Sequence, residues 1–176
     1  MKRNVWLFGL IGVLFAAVGI YTGLRASSLA TTDVAASPAV KNLFAQSMDD
    51  ANGGTQALAQ WKGKPLVVNF WATWCGPCVE EMPALSALQT EVAPKNVRIV
   101  GIGIDSPSNI KEFASKYKIA YPLYVAGMSG TELSKQFGNQ TGGLPYTVLL
   151  GADGRILKTY IGKLKMDELR KDIAAL

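Results

Sequence analysis

Residues 71–83 read WATWCGPCVEEMP and contain the only two cysteines of this 176-residue chain, Cys75 and Cys78. The β-rich run PLVVNFW leads into them and predicts a buried central strand. From residue 75 to residue 92 the apolar side chains recur at helical spacing, which predicts a helix. Its apolar side contains Val79, Met82, Leu85, Leu88 and Val92. The two thiols are therefore predicted to lie where a buried strand passes into a helix.

This position favours a reactive thiol. Free N–H groups and the dipole at a helix N-terminus stabilise negative charge, and such a setting lowers the pKa of a cysteine from about 8.5 to between ~3.5 and ~7.5. We therefore expect Cys75 to be the nucleophile and Cys78, one turn deeper, to resolve a mixed disulfide by attacking Cys75. Pro77 stiffens the first helical turn, and Gly76 leaves the approach to Cys75 uncrowded.

Two other roles for the cysteine pair remain open. A structural disulfide is disfavoured because closing so short a loop removes little entropy from the unfolded chain. A Cu(I) carrier without turnover is the second alternative, since thiolates bind this ion and Met82 lies nearby. The chain has no histidine, which excludes Cys–His and Ser–His catalytic pairs. Two cysteines also exclude a four-thiolate zinc site within one chain.

Charge and motif content exclude further classes of function. The net charge is +5, but residues 42–176 are nearly balanced and show no basic cluster interleaved with aromatics, so we expect no nucleic-acid binding. No nicotinamide, flavin or phosphate-loop motif is present. We therefore expect no cofactor and no metal beyond the redox-active disulfide Cys75–Cys78.

The amino-terminal segment predicts a membrane anchor. Residues 5–24 read VWLFGLIGVLFAAVGIYTGL, without a charge and long enough to cross a bilayer. Lys2 and Arg3 precede it, which favours a cytoplasmic N-terminus and an extracytoplasmic domain. A signal peptide cleaved after Ala30 is the alternative. We expect residues 1–24 to form a cytoplasmic tip and transmembrane helix, and residues 25–41 a flexible linker.

Strands and helices alternate from residue 42 onwards. LFAQSMDDANG predicts a strand and turn, TQALAQWKG one or two helical turns, and NVRIVGIGID a second buried strand. SPSNIKEFASKYKI predicts a helix, YPLYVAG a strand, and TELSKQFG a short helix. PYTVLLGADGRILKTYIG predicts a hairpin with an Asp-Gly turn, and KMDELRKDIAAL a closing helix. This order predicts an α/β domain built around a mixed sheet.

WCGPC at a strand-to-helix junction resembles the thioredoxin superfamily. The anchor, the linker and the extra segment IKEFASKYKIAYPLYVAG resemble its membrane-tethered TlpA/ResA-like thiol–disulfide oxidoreductases. The resemblance covers residues 42–176 and implies a thioredoxin-like fold, with a central mixed sheet flanked by helices.

Several residue roles are implied by this resemblance. GGLPYTVLL, residues 142–150, resembles the family's cis-proline loop, so Pro145 would face the disulfide and Leu144 would offer its backbone to a substrate strand. Trp74 would lie beside Cys75. The residues expected to bind substrate are Trp74, Gly76, Pro77, Leu144 and Pro145. The alternative for the proline is an ordinary trans residue at the start of a strand.

An acidic residue completes the resemblance. Cytoplasmic thioredoxins carry a buried aspartate six residues before the first cysteine, where this chain has Asn69. The ResA-like branch carries a glutamate three residues after the second cysteine, and Glu81 occupies that position. Helical spacing places it near Cys78, where a desolvated carboxyl with a raised pKa would relay a proton. The alternative is a solvated carboxylate like Glu80.

These observations predict a thiol–disulfide oxidoreductase that reduces protein disulfides. We expect a monomer with a single transmembrane helix in the cytoplasmic membrane and its domain in the periplasm or extracytoplasmic space. A membrane thiol–disulfide protein is expected to supply its electrons. Apocytochrome c is one candidate substrate, although Tyr146 stands where the cytochrome-specific branch carries an acid. The alternatives are a disulfide-forming oxidase, the Cu(I) carrier, and a thioredoxin-like module that only binds partners.

Overall fold

The computed structural model describes residues 37–176. The predicted anchor at residues 5–24 and most of the predicted linker lie outside the described residues. Within residues 37–176, no helix combines the length and apolar character needed to span a membrane.

Five helices and seven strands make up this part of the chain. In order they are α1 (Pro38–Ala45), β1 (Ser47–Asp50), β2 (Thr55–Ala57), β3 (Leu66–Trp71), α2 (Gly76–Val92), β4 (Arg98–Gly103), α3 (Pro107–Tyr117), β5 (Leu123–Val125), α4 (Met128–Gln136), β6 (Tyr146–Leu150), β7 (Ile156–Ile161) and α5 (Met166–Ala174). Single 3₁₀ turns follow β2 and α2.

The strands form one mixed sheet in the order β2-β1-β5-β4-β3-β6-β7. The three strands β3, β4 and β5 are parallel, whereas β6 runs antiparallel to both β3 and β7. All six residues of β3 are buried, as expected for a central strand covered on both faces. The prediction of an α/β fold around a mixed sheet is confirmed.

Two apolar layers cover the sheet. One layer packs α2, α3 and α5 against one face through residues such as Leu85, Phe113 and Leu169. The other packs α1 and α4 against the opposite face through Leu43 and Leu133. The alternation of side chains along β3 supplies both layers, because successive strand residues point to opposite faces.

The structure corrects the prediction at the start of the domain. The sequence predicts a flexible linker up to residue 41 and a strand immediately afterwards, but helix α1 occupies this region. The Ser37 hydroxyl accepts a hydrogen bond from the Val40 amide at 3.3 Å, and Pro38 is the first helical residue, a favoured start for a helix. Leu43 and Phe44 are buried, so α1 belongs to the folded domain.

A second correction concerns TQALAQWKG. The sequence predicts helical turns there, but the first three residues form the edge strand β2, which pairs with β1. Only Leu58–Trp61 is helical, as a single 3₁₀ turn. Pairing with β1 decides the conformation of Thr55–Ala57. The residues of this short segment do not by themselves indicate a strand, because strand formation depends on the neighbouring strand.

Candidate active site

Cys75 caps the N-terminus of α2. Its Sγ accepts a hydrogen bond from the Cys78 amide at 3.3 Å, and the helix begins at the next residue, Gly76. A sulfur in this position meets the free N–H groups of the first helical turn, which stabilise negative charge. The structure thus places Cys75 where the sequence analysis expected it.

Cys75 and Cys78 form a disulfide in this structure, with an S–S distance of 2.04 Å. Their access to solvent differs, since Cys75 is 6% exposed and Cys78 is fully buried. A Cβ added to Gly76 would meet nothing within 4 Å, so the space beside Cys75 is open. Of the two sulfur atoms, the one of Cys75 is thus the more accessible to an outside thiol.

The predicted proline loop lies beside this disulfide. The Leu144–Pro145 peptide bond is cis, which agrees with the resemblance. The next residue, Tyr146, pairs with Phe70 near the end of β3. Because β6 is antiparallel to β3, its first residue and the carboxyl end of β3 share one edge of the sheet. Pro145 therefore lies at the same edge as Cys75.

The loop between β3 and α2 is held by a carboxylate that the sequence analysis missed. Asp105 accepts hydrogen bonds from the Thr73 amide at 3.1 Å and from the Thr73 hydroxyl. Burial acts to raise the pKa of Asp105, but hydrogen bonds from Thr73, Asn109 and the Ser106 amide outweigh it and hold that pKa below its ordinary value. The ionised carboxylate holds the loop at Thr73. The next residue, Trp74, is 70% exposed.

Glu81 lies on the buried side of α2, with 2% of its surface exposed. One carboxylate oxygen accepts a hydrogen bond from Asn69 Nδ2 at 2.9 Å, and the other accepts one from the Leu164 amide at 2.8 Å. Asn69 Nδ2 also donates to the Thr147 hydroxyl at 3.0 Å. The carboxyl group is thus held directly by two groups, from β3 and from the segment after β7, and Thr147 on β6 holds Asn69 in turn.

The environment of Glu81 favours its protonated form. Burial raises the pKa of Glu81 above its ordinary value, and this effect outweighs the hydrogen bonds from Leu164 and Asn69 and the positive charge of Lys163, which lower it. Glu80 is instead exposed and forms an ion pair with Lys163 at 2.6 Å. The expected contrast between the two neighbouring carboxylates is therefore present.

The sequence did not predict that some residues contact the site. Thr147 and Leu164 lie 78 and 83 residues from their partners Asn69 and Glu81, and only the fold brings them together. Asp105 did offer one clue, because it lies two residues after the end of the buried strand β4. Polar residues at the carboxyl ends of parallel strands meet at the edge where sites form.

A disulfide that joins residues 75 and 78 encloses too few residues to restrain the unfolded chain. The slight exposure of Cys75 and its position at a helix N-terminus instead suit thiol exchange. The fold and this site together define a class of protein, the thiol–disulfide oxidoreductases with a thioredoxin-like fold. Within this class the chain belongs to the Redoxin family, whose sequence model matches residues 32–175.

Named relatives share this activity. The thiol-disulfide oxidoreductase ResA of Bacillus thuringiensis subsp. konkukian (strain 97-27) is 32% identical over 123 residues, which cover 69% of this chain and 69% of that protein. ResA of Geobacillus kaustophilus (strain HTA426) is 24% identical over 180 residues, covering 99% of this chain and 97% of that protein. The present protein is a thiol–disulfide oxidoreductase of the ResA type.

Solved structures give the same fold. A secreted disulfide oxidoreductase of Mycobacterium tuberculosis superposes with a TM-score of 0.64 at 25% identity, over 77% of this chain and 98% of that chain. A thiol:disulfide interchange protein of the thioredoxin family from Chlorobium tepidum TLS gives a TM-score of 0.67 at 25% identity, over 74% of this chain and 91% of that chain.

Proposed function

We propose that this protein reduces disulfide bonds of polypeptide substrates outside the cytoplasm, with Cys75 as nucleophile and Cys78 as resolving thiol. The observation that carries the proposal is the position of the Cys75 sulfur on the N-terminus of α2, in hydrogen-bonding contact with the Cys78 amide. Once the pair is reduced, the same N–H groups stabilise the Cys75 thiolate, which is the reactive form.

The reaction proceeds by two thiol–disulfide exchanges. The Cys75 thiolate attacks one substrate sulfur, forms a mixed disulfide and releases the other substrate sulfur as a thiolate. The Cys78 thiolate then attacks the Cys75 sulfur, which forms the Cys75–Cys78 disulfide and releases the first substrate sulfur. Two electrons pass to the substrate, and its two thiolates take up protons. A membrane dithiol donor returns two electrons to the enzyme.

Glu81 is proposed to accept the proton of Cys78 before the second exchange. Cys78 is fully buried, so its proton has no direct path to bulk water. Glu81 follows one helical turn later, and its raised pKa brings the affinity of the carboxylate for a proton closer to that of a thiolate, which favours transfer in both directions. The uncharged Asn69 holds the carboxylate in place without competing for the proton.

Substrate binding is assigned to the residues that surround Cys75 at the open edge of the sheet. Trp74 offers a largely exposed aromatic surface, and Gly76 and Pro77 are exposed on the first turn of α2. The half-buried Leu144 and the cis residue Pro145 form the opposite side. An extended substrate backbone is proposed to lie between the two sides, where a Cβ added to Gly76 would meet nothing within 4 Å.

An extracytoplasmic site of action agrees with the uncharged segment at residues 5–24 and with the secreted state of the related M. tuberculosis protein. Apocytochrome c is one substrate class for this proposal, because its cysteines must be reduced before haem is attached.

The reduction potential of the Cys75–Cys78 couple tests the direction of electron flow. We expect a value clearly below that of a disulfide isomerase, about −180 mV. The reason is that no histidine lies in the Gly76-Pro77 linker to stabilise the reduced thiolate further. Equilibration with glutathione and with a lower-potential dithiol measures it. A potential near about −120 mV would identify an oxidant.

The retained anchor is a separate prediction. If residues 5–24 stay attached, carbonate extraction of a membrane fraction should leave the full chain in the pellet, because about 20 apolar residues bury in the bilayer core. Deletion of residues 1–30 supplies the control, which should stay in the supernatant. A mature soluble protein that starts near Thr31 would establish cleavage after Ala30.

A further inference from the structure

An apolar pocket of about 530 Å³ opens at the carboxyl ends of β4 and β5, a volume within the range of ligand pockets, about 300–1,000 Å³. Its apolar lining consists of Ile104, Pro107, Val125, Ala126 and Met128. We call it the Met128 pocket. Met128 is 78% exposed, and its flexible thioether suits a surface that contacts varied side chains.

The walls of this pocket are preformed. The amides of Ala126 and Gly127 both donate to the Gly103 carbonyl, at 2.9 and 3.1 Å, and tie the turn after β5 to β4. Gly127 has φ +53°, a value that favours glycine and makes the sharp turn into α4. A Cβ on Gly130 would lie 2.8 Å from Ile104, so the first turn of α4 packs directly on the pocket wall.

The pocket and the cysteine Cys75 lie at the same edge of the sheet. Strands β3, β4 and β5 are neighbours and parallel, so their carboxyl ends share the sheet edge that bears Cys75. At about 4.8 Å per strand, the pocket is displaced from the Cys75 strand by roughly 5–10 Å. Pro145 lies on the other side of β3, because β6 is the opposite neighbour. The end of β3, from which the chain continues to Cys75, therefore lies between the cis-proline loop and the Met128 pocket.

A direct connection joins the pocket to the catalytic loop. Asp105, which borders the pocket, accepts the hydrogen bonds of Thr73 described above. Thr73 directly precedes Trp74. The hydrogen bonds therefore tie the backbone that leads to Trp74 and Cys75 to the pocket wall.

We propose that the Met128 pocket binds an apolar side chain of the polypeptide substrate, two or three residues along the chain from the cysteine that reacts with Cys75. An extended chain advances about 3.3–3.6 Å per residue, so two or three residues cover the distance between the strands concerned. The proposal rests on the proposed function, because it requires a polypeptide disulfide as substrate, and it makes Met128 a specificity residue.

Disulfide-linked peptides test this specificity. One peptide carries Leu at the second and third positions on both sides of the cysteine, and its partner carries Ser there. For the full-length wild-type protein we expect kcat/KM to favour the Leu peptide by about 10-fold, the effect of partly burying one large apolar side chain. In Met128→Asp the preference should fall to about 2-fold or less, because the carboxylate disfavours an apolar occupant.

Met128→Asp should retain the fold, because an aspartate in the first turn of α4 interacts favourably with the helix dipole. Leu157→Asp is the matched control, since Leu157 is also exposed but lies at the far end of β7, and it should keep the wild-type preference. Equal rates for both peptides with the wild-type protein, or an unchanged preference in Met128→Asp, overturn the proposal. Failure of the wild-type protein to reduce either peptide would instead overturn the proposed function.

Discussion

Cys75→Ser is expected to lower disulfide reduction to the uncatalysed rate, and Cys78→Ser is expected to accumulate a mixed disulfide with substrate. The reason is the unequal position of the two sulfur atoms. Cys75 is partly accessible and caps α2, whereas Cys78 is fully buried. A substrate sulfur therefore reaches Cys75 first, and only the resolving step needs Cys78. Non-reducing electrophoresis and mass spectrometry of the adduct measure the outcome.

Both variants lack the disulfide, so the matched control is the wild-type protein after reduction. Closing a loop of so few residues removes little entropy from the unfolded chain, and we expect all three proteins to give the same far-UV circular dichroism. Trapping of substrate by Cys75→Ser, with none by Cys78→Ser, would reverse the assignment of nucleophile and resolving thiol.

Glu81→Gln is expected to slow reduction by about 100-fold at neutral pH, the lower end of the contribution from a positioned general acid or base. The new glutamine keeps the shape of the side chain and can still accept from the Leu164 amide through its oxygen. Its amide nitrogen takes no proton from Cys78. Rates of substrate reduction, and of thiol alkylation as a function of pH, should both change while the fold is retained.

Glu80→Gln is the matched control for this experiment. The two residues are adjacent on α2, but the Glu80 side chain is 64% exposed and pairs with Lys163 at the surface. Exposed pairs of this kind contribute about 0–1 kcal/mol, so this variant should follow the wild-type alkylation curve. Superimposable curves for wild type and Glu81→Gln would remove Glu81 from the proton path.

The stability of the oxidised protein gives an independent test of the buried carboxyl. The pKa of Glu81 is raised in the folded state above its ordinary value of 4.5, so the folded protein holds the proton more tightly than the unfolded chain does. Its contribution to stability is therefore fully present below the unfolded-state pKa and is lost as the pH rises through the folded-state pKa. The free energy of unfolding of wild type, relative to Glu81→Gln, should fall over that interval in urea titrations. A rising difference would contradict the raised pKa.

Much of the fold follows from local pattern. The buried strands β3 and β4 are continuous apolar runs, α2 shows a helical repeat of apolar residues, and the Asp-Gly turn marks the β6–β7 hairpin. Each of these signals concerns residues that are neighbours in the chain, and each was confirmed. Helix α1 was missed because it has only eight residues. A helix so short is stabilised by packing rather than by its own propensity, although Ser37-Pro38 is the same start signal that located α3.

The sequence by itself determined the chemistry of this protein, because two cysteines at this spacing, between a buried strand and a helix, already define a reactive thiol. Only the tertiary structure decided which groups surround the cysteine pair and the carboxyl group near it. Asn69 and the Leu164 amide hydrogen-bond to Glu81, and Thr147 positions Asn69, through contacts that span up to 83 residues. Asp105, in the loop after the neighbouring strand β4, holds the loop of Thr73. The physical reason is that backbone conformation responds to adjacent residues, whereas the pKa of a buried carboxyl depends on which groups the sheet register brings against it.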